Sequence, residues 1–180
     1  MRDRAHGFTL IEAVVCLAIG SVLFGAAIPL CNSALARVDA SATRAALLSS
    51  LTESIHHSAL TGTEVVLCPG SGTGCRNSFD WSGGWIAYAD IDGNRRRGAH
   101  ETLLHTQGPL SDRVRLLTST GRRRLVFQPN GGNAGSNATF TLCDRRDPER
   151  TVTLVLANSG RLRAAKASRA RVRLCRSATH

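Results

Sequence analysis

Aromatic residues are scarce in this chain: two Trp, one Tyr and five Phe among 180 residues. The scarcity argues against a surface built to stack on bases and points to an aliphatic interior. The 17 glycines point to many turns. Lysine is scarcer still. Lys166 is the only one among 23 basic residues, a bias that a GC-rich genome produces by itself. Acidic residues are missing from 150–180, where Arg150, Arg161, Arg163, Lys166, Arg169, Arg171, Arg173 and Arg176 stand. Most of the +10 formal charge therefore gathers in the last sixth of the chain. Such a segment reads either as a solvated basic tail or as a site for nucleic acid or another polyanion.

Charge is absent from 13–30, AVVCLAIGSVLFGAAIPL. As a helix this stretch spans roughly 27 Å, close to the hydrocarbon thickness of a bilayer. Arg2 and Arg4 precede it and stay cytoplasmic by the positive-inside rule, which directs the rest of the chain to the periplasm. An ordinary secretory signal carries its cleavage site after the apolar run. Here the Gly7 to Phe8 junction comes before the run, and no convincing small-residue site follows Leu30. The remaining roughly 150 residues suffice for one modest core.

Catalytic constellations are missing too. No serine has a nucleophile-elbow context, and His56, His57, His100 and His105 stand in no ligand spacing with carboxylates. The chain reads as something other than an enzyme, with no cofactor and no metal. Gly70-Ser71-Gly72-Thr73-Gly74 lacks the Lys-Ser/Thr that completes a phosphate loop and reads as a turn. Asp90, Asp92 and Asn94, with Glu101 beyond, nearly trace a calcium loop. Arg95 stands where that loop needs glycine, and Arg96 and Arg97 follow, so a polar hairpin turn is the better reading. The cysteines match no C-x-x-C pattern for zinc. Cys16 and Cys31 fit the apolar helix as small side chains. The other four can pair in three ways.

What is present predicts an α+β fold. From 35 to 60 the chain is rich in Ala and Leu and free of Pro and Gly. Leu48, Leu51, Ile55 and Ala59 mark one helical face, and Arg44, Glu53 and His56 fall off it. One helix running from the membrane to about Leu60 follows, its second half covering a sheet and Thr61-Gly62 ending it. Strand-like runs come next at 64–67, 85–88, 102–105, 114–117, 125–127, 139–142 and 151–156. A helix packed on antiparallel sheet is the economical arrangement.

Gly7-Phe8-Thr9-Leu10-Ile11-Glu12 resembles the processing site of type IV pilins and type II secretion pseudopilins. The resemblance implies that a prepilin peptidase cuts between Gly7 and Phe8 and methylates the new amine of Phe8. Glu12 then becomes the assembly glutamate, and Pro29 falls where many pilins carry a helix-bending proline. A carboxylate at the edge of a membrane helix is costly and calls for a partner. The resemblance supplies one: the amino terminus of a neighbouring pilin or pseudopilin subunit in the inner membrane.

Cys68-Pro69, Cys75, Trp81-Ser82-Gly83-Gly84-Trp85-Ile86 and Asp90-Ile91-Asp92-Gly93-Asn94 are similar to one subgroup, the GspH/FimT family of minor pilins and pseudopilins. Phe127-Gln128-Pro129-Asn130-Gly131, Phe140-Thr141-Leu142-Cys143 and Gly160-Arg161-Leu162-Arg163 extend the likeness. It implies a type IV pilin-like fold: leader 1–7, transmembrane and assembly helix 8–30, amphipathic continuation 31–62, and a periplasmic β-rich domain 63–180 with basic tail 164–180. In the periplasm, where disulfides persist, the favoured pairs are Cys68 with Cys75 and Cys143 with Cys175. Their loops contribute about 2.5 and about 3.7 kcal/mol by chain entropy.

Two functions fit. In the first, Gly160-Arg161-Leu162-Arg163 resembles the basic signature of DNA-binding members. Arg161 and Arg163 would then share one face of an edge strand, and Lys166, Arg169, Arg171 and Arg173 would extend the charge over double-stranded DNA without reading its sequence. In the second, the chain is a GspH-like pseudopilin near the tip of a type II secretion pseudopilus, contacting minor pseudopilins or a secreted protein substrate.

Overall fold

The computed structural model describes residues 9–135 and 137–177, so the leader and the expected cleavage between Gly7 and Phe8 lie outside the described residues. The chain divides into two compact units, Met1–Val38 and Asp39–His180. A single helix, α1 (Leu10–Thr61), contributes to both.

In the first unit α1 is apolar and uncovered. Leu17 is 72% exposed, Val22 73% and Phe24 72%. The helix runs unbroken through position 29. The few hydroxyls turn back on the backbone, as serine does when the surroundings offer no water: Ser21 Oγ donates to the Leu17 carbonyl at 2.7 Å and Ser33 Oγ to that of Leu30 at 2.9 Å.

In the second unit, α1 ends as expected. Gly62 adopts φ +70 and donates its N–H to the Ser58 carbonyl at 3.0 Å, a left-handed C-terminal cap that glycine adopts without steric cost. Nine strands follow: β1 (Glu64–Ser71), β2 (Gly74–Cys75), β3 (Trp85–Asp90), β4 (Leu103–Gln107), β5 (Val114–Thr118), β6 (Leu125–Phe127), β7 (Ala138–Asp144), β8 (Val152–Leu156) and β9 (Leu162–Lys166). A 3-10 turn spans Pro148–Arg150 and a short helix, α2, spans Arg169–Ser177. The strands form antiparallel sheet, as expected, divided into two sheets. The first runs β2-β1-β3-β4 with β6 also on β1, and the second runs β5-β7-β8-β9. β1 continues through Pro69 because the Cys68–Cys75 disulfide folds the chain straight back into β2, with Gly70 opposite Cys75. The Gly/Ser stretch is a hairpin turn, as read.

The shared core departs from the sequence reading in two ways. The first is its aromatic content. Trp81, Trp85, Phe127 and Phe140 are fully buried in this core, and Tyr88 is fully buried in a second cluster with Val66, Cys68, Ile86 and Val126, so most of the few aromatic residues lie inside. Trp81 stacks edge-on to Phe140, with centroids 5.2 Å apart, in the geometry aromatic quadrupoles prefer. The second is the helix face. Leu51 is buried and Ile55 packs against the core, but Leu48 is 37% exposed and Ala59 is exposed. The buried stripe is Leu47, Ser50, Leu51, Ser54 and Ser58.

Serine occupies part of the inner face of α1. Each hydroxyl is satisfied there, as burial demands. Ser54 Oγ donates to the Ser50 carbonyl at 2.6 Å and Ser58 Oγ to that of Phe127 at 3.1 Å. Ser50 Oγ donates to the Ala46 carbonyl and accepts Trp85 Nε1–H at 2.9 Å.

Substitutions on this face have graded effects on the thermal midpoint followed by near-ultraviolet circular dichroism of the full chain. Ser50→Ala, which orphans the Trp85 indole N–H, destabilises by about 1–2 kcal/mol. Ser54→Leu overpacks the same contact and destabilises by about 1–3 kcal/mol. Leu48→Ser stays within about 0.5 kcal/mol of wild type. A larger loss at position 48 than at 50 or 54 contradicts this packing.

Candidate functional site

Three groups of side chains were singled out by sequence: the helix start, the basic C-terminal segment and the polar loop after β3. At the helix start, Thr9 and Glu12 form a capping box. Glu12 Oε2 accepts Thr9 N–H at 3.1 Å and the Thr9 hydroxyl at 3.0 Å, and the Glu12 N–H faces Thr9 Oγ1 at 3.4 Å. The carboxylate thus begins the apolar helix already held in one rotamer, close to the favourable N-terminal end of its dipole. Gly7 and Phe8, its expected neighbours, lie outside the described residues.

Through residue 177 the basic segment folds as β9 and α2. β9 is the edge strand of the second sheet, paired with β8 so that Arg163 lies opposite Val155. Leu162 packs against the core, so alternation turns Arg161 and Arg163 together to the other face. Both are exposed, and neither side chain makes a hydrogen bond or ion pair among the described residues. Gly160 makes this turn possible. Its φ is +78, and a Cβ there would meet the Gly131 carbonyl at 2.8 Å.

After β9 the Cys143–Cys175 disulfide clamps α2 to the outer face of the second sheet, where Cys143, Cys175 and Leu117 pack together. The clamp sorts the remaining cations. Lys166, Arg169 and Arg173 line one depression of 440 Å³, which also contains Glu149, the partner of Arg176. Arg171 departs from the expected basic face. Its guanidinium turns inward and donates to Thr141 Oγ1 at 3.2 Å, so it holds α2 in place and does not join the open cations. By alternation Arg161 and Arg163 lie on the outer face of the second sheet, the face that carries α2, whereas Lys166 shares the inner parity of Leu162 and meets Arg169 and Arg173 at the end of β9.

The loop after β3 organises itself through its own acids. Asp90 accepts Arg95 N–H at 3.2 and 3.1 Å, Glu101 accepts the N–H groups of Ile91 at 3.1 Å and Gly98 at 2.8 Å, and Asp92 accepts that of Asn94 at 3.0 Å. These carboxylate oxygens serve backbone amides, which makes the segment the polar turn that Arg95 to Arg97 suggested. Asp92, His100 and Glu101 do come together, and no further observation points to an ion there. Tyr88 lies beneath, its hydroxyl 3.9 Å from the Cys75 sulfur. Burial pushes its phenol up to about 12, reinforced by the charges of Asp90 and Glu101 and opposed by Arg124.

Sequence reading missed one feature. Arg76, Arg95, Arg96, Arg97, Arg123 and Arg124 line a common depression. These residues come from three separated segments, and the only signal was the pair of arginine triplets, 95–97 and 122–124.

Comparison with known proteins follows from this geometry. A family model described as type II transport protein GspH matches residues 44–160, and one described as the prokaryotic N-terminal methylation motif matches residues 2–28. No curated protein sequence matches. Two crystal forms of the type IV minor pilin FimU from Pseudomonas aeruginosa are similar in structure at 14% identity, with TM-scores of 0.53 and 0.54. They cover 72% of this chain and 91% and 87% of their own, and at that identity they show the fold. The minor pseudopilin EpsH of the type 2 secretion system of Vibrio cholerae aligns at 13% identity and a TM-score of 0.49, over 73% of this chain and 96% of its own.

Because Tyr88 is the sole tyrosine, absorbance at 295 nm reads its environment alone. The folded protein ionises near 12 and the unfolded chain near 10. A raised folded value means that this group's contribution to stability is complete below about pH 10 and is lost as pH climbs toward 12. Titration of the native chain near 10 overturns the burial of Tyr88.

Proposed function

This chain belongs to the GspH family, and on that premise we propose that it is a minor pilin of a type IV pilus that binds double-stranded DNA during uptake. In this reading prepilin peptidase removes residues 1–7 and methylates Phe8. The apolar half of α1 holds the subunit in the inner membrane with its β-rich domain in the periplasm, until it is assembled with other pilins.

Assembly needs both a sliding surface and a stop. The uncovered apolar face of α1 packs on lipid or on neighbouring helices with little positional preference. A carboxylate meeting a neighbour's methylated amine in low dielectric supplies the register, because the pair is favourable at one stagger only. The capping box supports this. Thr9 holds the Glu12 carboxylate at the head of the helix, close in sequence to the amine of its own Phe8.

DNA binding rests on Arg161 and Arg163, which share an exposed face of an edge strand and have no competing acid. Guanidinium forks engage phosphate bidentately, and contacts to phosphate alone are blind to sequence. The second reading, a minor pseudopilin of type II secretion, draws on the description of the matching family model. Under that reading the same face contacts a secreted protein substrate or other pseudopilins.

Duplex titration of the detergent-solubilised chain separates the two. Log affinity falls against log salt by about 0.9 for each phosphate contacted. Arg161→Ala with Arg163→Ala weakens binding to unrelated duplexes equally and flattens the slope by about 2. A double variant that binds as wild type does removes the DNA role from this motif and favours the secretion reading.

A further inference from the structure

The arginine depression on the first sheet is a built feature. One wall is Arg76, just past the Cys68–Cys75 disulfide, and the second is Arg95, Arg96 and Arg97 from the loop after β3. The third is Arg122, Arg123 and Arg124 ahead of β6. Its two contiguous parts have volumes of 430 and 560 Å³ and share Arg95, Arg123 and Arg124.

Arginines lock the three segments to one another. Arg97 Nη1 donates to the Gly72 carbonyl, Arg124 Nη1 to that of Arg95 at 2.9 Å, and Arg122 Nη1 to that of Ala134 at 2.8 Å. Each bond uses one of five donors. The remaining donors are held in place without an equal supply of counter-charge. Glu64 lies 3.6 Å from Arg95 Nε, and the acids of the loop, Asp90, Asp92 and Glu101, serve its backbone amides. No acidic residue lines either part. The buried Nε and Nη2 of Arg122 and the buried Nε of Arg97 have no partner among the described residues.

Arg95 carries a second sign. Its φ is +59, and it is the one non-glycine residue in the left-handed region among those described. The fold tolerates this strain where glycine would relieve it, and such outliers gather at functional positions.

We propose that this basin is a second binding surface for a phosphodiester backbone, separate from the Arg161 and Arg163 face and independent of it. Charge complementarity selects a polyanion. Guanidinium forks from three directions suit phosphate oxygens. The absence of aromatic lining excludes base stacking. The apolar lining is limited to Cys75, Val126 and Ala134, which offers little to the buried anchor side chain on which a protein partner depends. Because the cross-ties fix the guanidiniums before binding, little side-chain freedom is lost on contact.

The test uses the full chain in detergent and two unrelated 20-base-pair duplexes, read by fluorescence anisotropy over a salt series. Arg96 and Arg123 are the variants of choice, since neither side chain makes a hydrogen bond or ion pair among the described residues. Arg96→Ala with Arg123→Ala weakens both duplexes about tenfold at low salt and flattens the salt slope by about 2. The loss adds to that of the Arg161 and Arg163 variant. Arg95→Gly also weakens binding while keeping or raising the melting temperature, the reverse of what a purely structural arginine gives. Loss in the basin variant with none in the Arg161 and Arg163 variant leaves this proposal standing and ends the other. Wild-type affinity in the Arg96 and Arg123 variant overturns the basin. So does wild-type DNA affinity combined with failure to enter filaments, because the occupant is then a protein subunit.

Discussion

Exposed apolar surface on the first half of α1 is the constraint on which everything else depends. Side chains such as Leu17, Val22 and Phe24 are left open by the chain itself, on a helix long and apolar enough to cross a membrane. At about 25 cal/mol per Å² no such surface stays in water. It must be covered by lipid or by further helices of the same kind. In the proposed reading the subunit exchanges one covering for the other, a membrane protein first and a filament component afterwards, and Glu12 is the charge that would tell the two coverings apart.

The second half of the same helix solves a different problem. Here burial is supplied within the chain, and the inner face is built from Leu47 and Leu51 interleaved with Ser50, Ser54 and Ser58. The serine hydroxyls find carbonyls or the Trp85 indole, so each is satisfied where it is buried. The outer faces of the sheets are left to other tasks. α2 is clamped on one by Cys143–Cys175, and the loops that carry the arginine triplets meet on the other.

Much of this was legible in the sequence, for local reasons. The uncharged run, the glycine that ends α1 and most strands follow from patterns confined to a few neighbouring residues, whereas the pairing of Cys68 with Cys75 and of Cys143 with Cys175 came with the family resemblance. The serine face was not legible because periodicity ranks residues by hydrophobicity, and serine lining a tight helix contact looks polar. Leu48 and Ala59 were credited instead, one position off the true stripe. The aromatic core was hidden by composition, since scarcity says nothing about where the few fall. Arg171 read as one more open cation until Thr141, thirty residues distant in sequence, proved to be its partner. The arginine basin was least legible of all, because three separated segments supply it and only tertiary folding joins them.

Filament incorporation of a Glu12→Gln variant tests the central claim most directly. The side chain keeps its shape and its capping hydrogen bonds but loses its charge. The account predicts that the variant inserts in the membrane, forms both disulfides, and is absent from filaments sheared from cells that carry the remaining subunits. Recovery of Glu12→Gln in those filaments at the wild-type level would contradict it, because the register of the helices would then owe nothing to the carboxylate.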